Sequence, residues 1–366
     1  MTLRIYLDHA ATTPLRPVAR AAMDAALGAW ANPSSPHAEG RAARAALEQA
    51  RARIADTLGW RGALLFTSGA SEGIATIFAR TGGGARLLSA VEHDAVRRVA
   101  GETAIVVPVS REGIVTPVAL SLALEQAGHE IGRPPLVAIQ HVNSETGVIQ
   151  PTEAIGETIR EAGGLWLADA TQAAGKIALP DADFIVLSAH KFGGPPGIGA
   201  LLVRDLATLA PTGGQEQGYR GGTENAPGVA GMAAALEEGN GWLRRTAELR
   251  AHLDAAIEGA GGEIVAKGAP RLPTIASYRM PGIPAAAQLI RFDMAGYAVS
   301  AGSACSSGSL KPSHVLTAMK LPVKAASEVI RVSFGRATRR EDVWRFAERW
   351  RAIATEAKGK TARGAA

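Results

Sequence analysis

Apolar residues recur in two rhythms along this chain. Over 17–30 and 38–58 they fall at helical spacing among alanines and charges, and both stretches predict helices. Over 87–90, 105–109, 136–141, 165–168 and 184–188 they form short unbroken runs, the pattern of strands buried on both faces. Helix-like stretches separate these runs. One, 151–161, has Pro at its first turn and Gly163-Gly164 beyond its end. Strand alternating with helix predicts an α/β fold with a mostly parallel sheet covered by helices. A further strand is expected over 198–203, after a Gly/Pro turn. One long helix or two in tandem should follow over 229–260, bridging to a second unit. Strands over 274–278, 297–300 and 329–334 and an amphipathic helix over 340–355 complete that unit. The small, polar tail from 356 onward is expected to fray.

Composition narrows the function. With 366 residues, 47% hydrophobic and 20% charged, the chain can bury a large core and is not a disordered protein. Its longest uncharged run, 294–310, is rich in Gly and Ser and does not read as a membrane span. The net charge is +5, yet the segment 339–366 alone holds eight Arg and Lys against four Asp and Glu. The rest is near neutral, which argues against nucleic acid as a partner. A single cysteine, Cys305, excludes an internal disulfide framework and a cysteine-based metal cluster. No long apolar leader opens the sequence, so a cytoplasmic enzyme is expected.

Several residues could carry chemistry. Lys191 ends the string Ser188-Ala189-His190-Lys191 after a buried strand. A desolvated amine there becomes a nucleophile able to form a Schiff base, although strand-end lysines are more often solvated. Asp169 follows the strand over 165–168, where open α/β sheets bind ligands, and it could equally cap a helix. Together, a lysine amine and a carboxylate for a pyridinium nitrogen are what pyridoxal 5'-phosphate (PLP) requires. The string from Phe66 to Gly73 offers a cradle of small residues before a helix start, suited to a phosphate. His93, after the strand over 87–90, could stack on a cofactor ring, shuttle protons or simply begin a helix. Cys305 lies among Gly, Ser and Ala rather than in an apolar run, which favours an accessible thiol. Arg331 interrupts an apolar strand, where a guanidinium can hold a carboxylate bidentately or face solvent at an edge.

Nine strings in order tie these residues together. They are Tyr6 to Pro14, Asn32 to His37, Thr67 to Glu72, Glu92-His93, His141 to Gln150, Asp169 to Gln172, Ser188 to Lys191, Arg220 to Glu224 and Gly302 to Ser307. In this order the chain resembles the cysteine desulfurases of the class V aminotransferase group, fold-type I PLP enzymes, over nearly its whole length. The resemblance implies that Lys191 carries PLP, Asp169 pairs with the pyridine nitrogen and Gln172 contacts the ring oxygen. His93 would stack on the ring and move protons. Ala70, Ser71, Ser188 and His190 would hold the phosphate, with Thr223 reaching the phosphate of a partner subunit in a homodimer. Asn143 and Ser144 would also line the cofactor site, and Arg331 and Asn32 the substrate site. Cys305 would accept sulfur. Two positions depart from the family's pattern: Ser144 stands where an Asn is usual, and Gln217 where an Arg is usual.

The reading that follows is a large PLP-binding domain over 15–255 and a small α+β domain from 1–14 and 256–366 that carries the Cys305 loop. The expected reaction converts L-cysteine to L-alanine, leaving a persulfide on Cys305 for a sulfur-acceptor protein, as in iron–sulfur cluster assembly. No metal, nucleic acid or membrane enters this reading. The alternatives are another class V PLP reaction (selenocysteine lyase, cysteine lyase or aminotransferase) or a non-catalytic PLP-binding partner of a sulfur-transfer complex.

Overall fold

Seven strands form the main sheet, in the spatial order Ala63–Thr67, Gly199–Val203, Phe184–Ser188, Leu165–Asp169, Leu136–Ala138, Arg86–Ser89 and Ile105–Val107. This computed structural model describes residues 4–82, 84–128, 132–302 and 313–364, with side chains given as far as 356. Phe184–Ser188, Leu165–Asp169, Leu136–Ala138, Arg86–Ser89 and Ile105–Val107 run parallel to one another. Gly199–Val203 runs antiparallel to both of its neighbours. The reason is chain length: a parallel return needs a crossover of about a dozen residues, and fewer separate Ser188 from Gly199. Helices Ala38–Leu58, Ala70–Arg80, Asp94–Ala100, Pro117–Ala127 and Thr152–Glu161 connect or flank these strands. The sheet is apolar on both faces. Phe66, Leu87, Val137, Ile185 and Leu202 belong to one core cluster; Leu65, Leu88, Leu136, Val186 and Leu201 belong to the other. That is why the strands read as unbroken apolar runs rather than as alternations.

Two helices in tandem, Ala226–Glu237 and Leu243–Gly259, take up the long helical stretch. They part at Gly239, whose φ of 69° belongs to the left-handed region that glycine tolerates. Beyond them, Ile275–Arg279 pairs antiparallel with Val329–Ser333 and with Glu263–Ile264. A separate core sits here, with Phe292 stacked on Phe346 at 4.8 Å and Trp350 fully buried beside them. The closing helix runs Arg340–Gly364, past the point where fraying was expected. Ala, Lys and Arg dominate that last stretch, and each is a good helix former.

The N-terminal segment joins the two cores. Ile5–Tyr6 pairs in parallel with Tyr297–Ala298. Leu7 accepts a hydrogen bond from the Ser333 amide, and the Ala10 amide donates to Ser333 Oγ. Three residues on, the Thr13 amide donates to the His190 carbonyl, so the first residues of the chain lie against the strand-end lysine.

Candidate active site

Lys191 closes a single 3-10 turn, Ala189–Lys191, which follows directly from the strand Phe184–Ser188. Its Nζ donates to the carbonyls of Ala10 and Ala11, each at 2.8 Å. Neither acceptor is charged, so the amine is held without being neutralised. Burial, followed by the nearby Arg331 cation, pulls its pKa from 10.5 down to about 8, with Asp169 and Asp8 opposing. About a tenth of the amine is therefore unprotonated at pH 7, far more than for an ordinary lysine, as a nucleophile requires.

Asp169 ends the neighbouring strand Leu165–Asp169 and remains partly accessible. One carboxylate oxygen accepts from the Thr171 amide at 2.9 Å, which fixes the carboxylate and leaves the other oxygen without a donor among the described residues. Gln172 is buried; its Nε2 donates to the Ala10 carbonyl at 2.9 Å, and its Oε1 has no partner among the described residues. An orphaned amide oxygen in a buried site favours a bound group that can satisfy it.

Across the sheet, helix Ala70–Arg80 begins without a side-chain cap. Ser188 Oγ accepts from the Ala70 amide at 2.8 Å, linking the cradle to the lysine's strand. The following amides, from Ser71 onward, lie in the helix's first turn, where the positive end of the helix dipole favours an anion. Ser71 is exposed and His190 half-buried. Burial and the Lys191 cation hold His190 at about 4, so its ring is neutral at pH 7.

His93 caps helix Asp94–Ala100: its Nδ1 accepts from the Ala95 amide at 3.1 Å. The helix-start reading of this histidine is the one the structure shows. With Nδ1 accepting, Nε2 is the ring nitrogen that can carry a proton. Asn143 is buried and organises the turn around it. Its Oδ1 accepts from the amides of Glu145 and Thr146 and from Thr146 Oγ1, while Nδ2 donates to Val91. Ser144 is partly exposed, and its carbonyl accepts from Arg331 at 3.0 Å. Arg331 is 7% exposed and pairs with Asp8 at 2.8 Å, and its Nε has no partner among the described residues. A protein carboxylate thus holds the guanidinium in place.

Three candidates stand apart. Asn32 is exposed and uses its Oδ1 on the Ser34 amide at 2.8 Å. Thr223 is exposed ahead of helix Ala226–Glu237. Cys305 lies outside the described residues. No hydrogen bond among the described residues joins Asn32 or Thr223 to Lys191. Asp8 and Lys176 are residues that sequence reasoning missed. Asp8 sits inside a quoted string, and its pairing with Arg331 spans nearly the whole chain. Lys176 lies one residue past Gly175, and nothing in the local pattern signals that it is buried.

These residues fit PLP: an amine with a lowered pKa, a carboxylate with a free oxygen, an unsatisfied buried amide and an open helix start converge on one end of the sheet. The comparisons agree. The model of the family described as "Aminotransferase class-V" matches residues 5–346. A protein named "Cysteine desulfurase IscS" from Dictyoglomus turgidum is 36% identical, over 94% of this chain and 92% of its own length. An "IscS-like cysteine desulfurase" from Mycobacterium tuberculosis is 37% identical, over 92% of this chain and 93% of its own. Among solved structures, a NifS-like protein from Rickettsia africae superposes with a TM-score of 0.88 at 30% identity, covering 96% of this chain and 99% of that one. SspA in complex with cysteine superposes with a TM-score of 0.77, also at 30% identity, covering 91% and 99%. With a PLP-type site on a fold-type I sheet and relatives of this kind along its whole length, the chain belongs to the class V aminotransferase family, among the cysteine desulfurases.

Proposed function

We propose that this protein takes sulfur from L-cysteine, releases L-alanine, and holds the sulfur as a persulfide on Cys305. The observation that carries the reading is the Lys191 amine. Its pKa is lowered to about 8, and it is held only by two carbonyls, with Asp169 and Arg331 close enough to act on its charge. PLP, when bound, supplies an electron sink for charge that develops at the substrate Cα. Lys191 would hold the cofactor through Nζ and would take the Cα proton of the substrate. Asp169 would keep a proton on the pyridine nitrogen. Ser188 Oγ and the Ser71 amide would receive the phosphate, with Ala70, whose amide Ser188 Oγ accepts, and His190 beside them. Gln172, with Asn143 and Ser144, would orient the ring, and His93 would move a proton through Nε2. Arg331 would grip the substrate carboxylate, assisted by Asn32.

The atoms balance without a further reactant. The Cys305 thiolate attacks the substrate sulfur, the C–S bond breaks, and a proton replaces sulfur on the released alanine. A thiol of ordinary pKa near 8.5 is a few per cent thiolate at pH 7, and it is a far better nucleophile toward sulfur than a hydroxyl. The persulfide then passes to a thiol on an acceptor protein. A cytoplasmic location goes with this reading, since reducing conditions keep a lone thiol available.

A homodimer goes with it too. Thr223 is exposed, as a residue reaching a partner subunit's phosphate must be, and Leu27 and Trp30 are 59% and 86% exposed. Exposed apolar groups of this size mark interaction surfaces. Two separate cores support the division into 15–255 and 1–14 with 256–366, although helix Leu243–Gly259 runs through the boundary.

The test is Cys305→Ser. It should bind PLP and show the wild-type spectral shift with L-cysteine, yet release little alanine. Wild-type protein given L-cysteine without reductant should gain one sulfur on Cys305 by mass spectrometry. Alanine release by Cys305→Ser at the wild-type rate would rule out Cys305 as the acceptor.

A further inference from the structure

Lys176 is a buried ammonium that the mechanism above does not use. It lies in the turn between strand Leu165–Asp169 and strand Phe184–Ser188 and is 7% exposed. Its Nζ donates to the Gln172 carbonyl at 2.9 Å and to the Lys191 carbonyl at 3.3 Å. Among the described residues no carboxylate pairs with it; the charges that act on it, from Lys191 and Arg16, are both positive. Burying an unpaired ammonium is expensive, and a structural lysine would ordinarily have an acidic partner. Burial and those two cations bring its pKa down to about 7, so its charge is labile in the range where the enzyme works.

Its placement is specific. One carbonyl belongs to the segment that begins at Asp169, the other to the lysine itself. The same Lys191 carbonyl accepts from Thr13 Oγ1 at 3.1 Å, and the Ala10 carbonyl is shared by Gln172 Nε2 and Lys191 Nζ. Three stretches of chain that are remote in sequence are thereby tied into one hydrogen-bonded knot around Lys191. His9, Arg16, Lys176 and Arg336 line the cavity behind that knot. Glu238 pairs with two of those cations, Arg16 at 3.0 Å and Arg336 at 3.6 Å. On the substrate side, Asp169, Asp8 and Arg331 face Lys191.

We propose that Lys176 is a positioning residue: it staples the Gln172 and Lys191 segments together and so holds the PLP-bearing lysine at its working angle. This rests on Lys191 being the lysine that carries PLP. Lys176 touches neither cofactor nor substrate and acts through Lys191. Its two hydrogen bonds hold the turn from which the Lys191 nitrogen projects.

Two variants test the staple. Lys176→Met removes both hydrogen bonds; Lys176→Gln, one atom shorter, keeps a neutral donor. The readout is the rate of PLP loss from the loaded protein on dialysis. It should increase roughly tenfold in Lys176→Met, where the Gln172 carbonyl is orphaned, and less in Lys176→Gln. A purely structural lysine would lower the melting temperature of the apoprotein and leave that rate in place. That result in loaded Lys176→Met overturns the inference. Borohydride reduction of the wild type distinguishes this failure from that of the underlying reading. An adduct on Lys191 with an unmoved rate of PLP loss rejects the role of Lys176 alone, and an adduct on any other lysine rejects both.

Discussion

Gly199 stands where the lysine's strand meets the phosphate cradle, and adding one methyl group there tests whether the cradle is correctly placed. A Cβ at Gly199 would lie 2.4 Å from the Leu187 carbonyl oxygen and 2.7 Å from Gly69 Cα. Ordinary contact begins near 3.4 Å, so Gly69 must retreat by about 0.7 Å. Both obstacles are backbone, and neither can rotate away. Overpacking of this kind costs about 1–3 kcal/mol. If the strain is relieved by moving Gly69, the amides that begin helix Ala70–Arg80 leave their positions, and PLP affinity should fall by about ten- to a hundredfold. Gly62 supplies a matched control, because a Cβ there would meet the Val203 carbonyl oxygen at the same 2.4 Å, beyond the opposite end of the same strand pair. Gly62→Ala and Gly199→Ala should lower the apoprotein's melting temperature alike, on the order of 2–6 °C. Only Gly199→Ala should weaken PLP, measured by titrating apoprotein and following absorption. Equal stability losses with unchanged PLP affinity in Gly199→Ala would refute the placement of the phosphate at Gly69–Ser71.

Asp169→Ala should lose only the hydrogen bond to Thr171, about 1 kcal/mol of stability, while turnover falls by several orders of magnitude, because the carboxylate acts mainly on charge developed during reaction. Near-normal turnover with full cofactor loading would contradict that role. If Thr223 completes the partner subunit's phosphate site, analytical ultracentrifugation at micromolar concentration should find a dimer, and a fully active monomer would exclude it. The apoprotein should lose stability as pH falls from about 6.5 to 4. Burial holds His9 and His141 near 4 in the folded chain, so the unfolded chain binds more protons across that window. A melting temperature flat over this range, or unaltered in slope by His141→Gln, would contradict it.

Much of the fold was legible because strand ends are local events. The runs at 165–168 and 184–188 marked where Asp169 and Lys191 emerge, and the structure places each within a residue of the predicted end. The antiparallel turn of Gly199–Val203 could have been read from the short link before it, but apolar composition alone says nothing about direction. What stayed hidden depends on distant chain. Arg331 looked like a clamp from its strand, whereas its partner Asp8 lies at the other end of the sequence. Lys176 sits in a turn of small residues, and its burial comes from the N-terminal segment and from Trp242, which line the same cavity. Asn143 was legible as a residue of interest, but not the four hydrogen bonds by which it builds the turn that presents Ser144 and Glu145.

The N-terminal segment carries a consequence for synthesis. Its residues leave the ribosome first, yet they pair with Tyr297–Ala298 and Ser333, which leave near the end. Until those strands emerge, the Ala10 and Ala11 carbonyls that hold the Lys191 amine are tied only to the main sheet, through Gln172 Nε2 and through Thr13 on His190 and Lys191. Contacts of such sequence separation close late, since chain entropy must be lost before they form. The seven-stranded sheet has all its strands by residue 203, whereas the segment against Lys191 gains its second anchor only with Tyr297–Ala298 and Ser333. A nascent chain interrupted before residue 297 would own every strand of the main sheet and hold the Lys191 amine from one side alone.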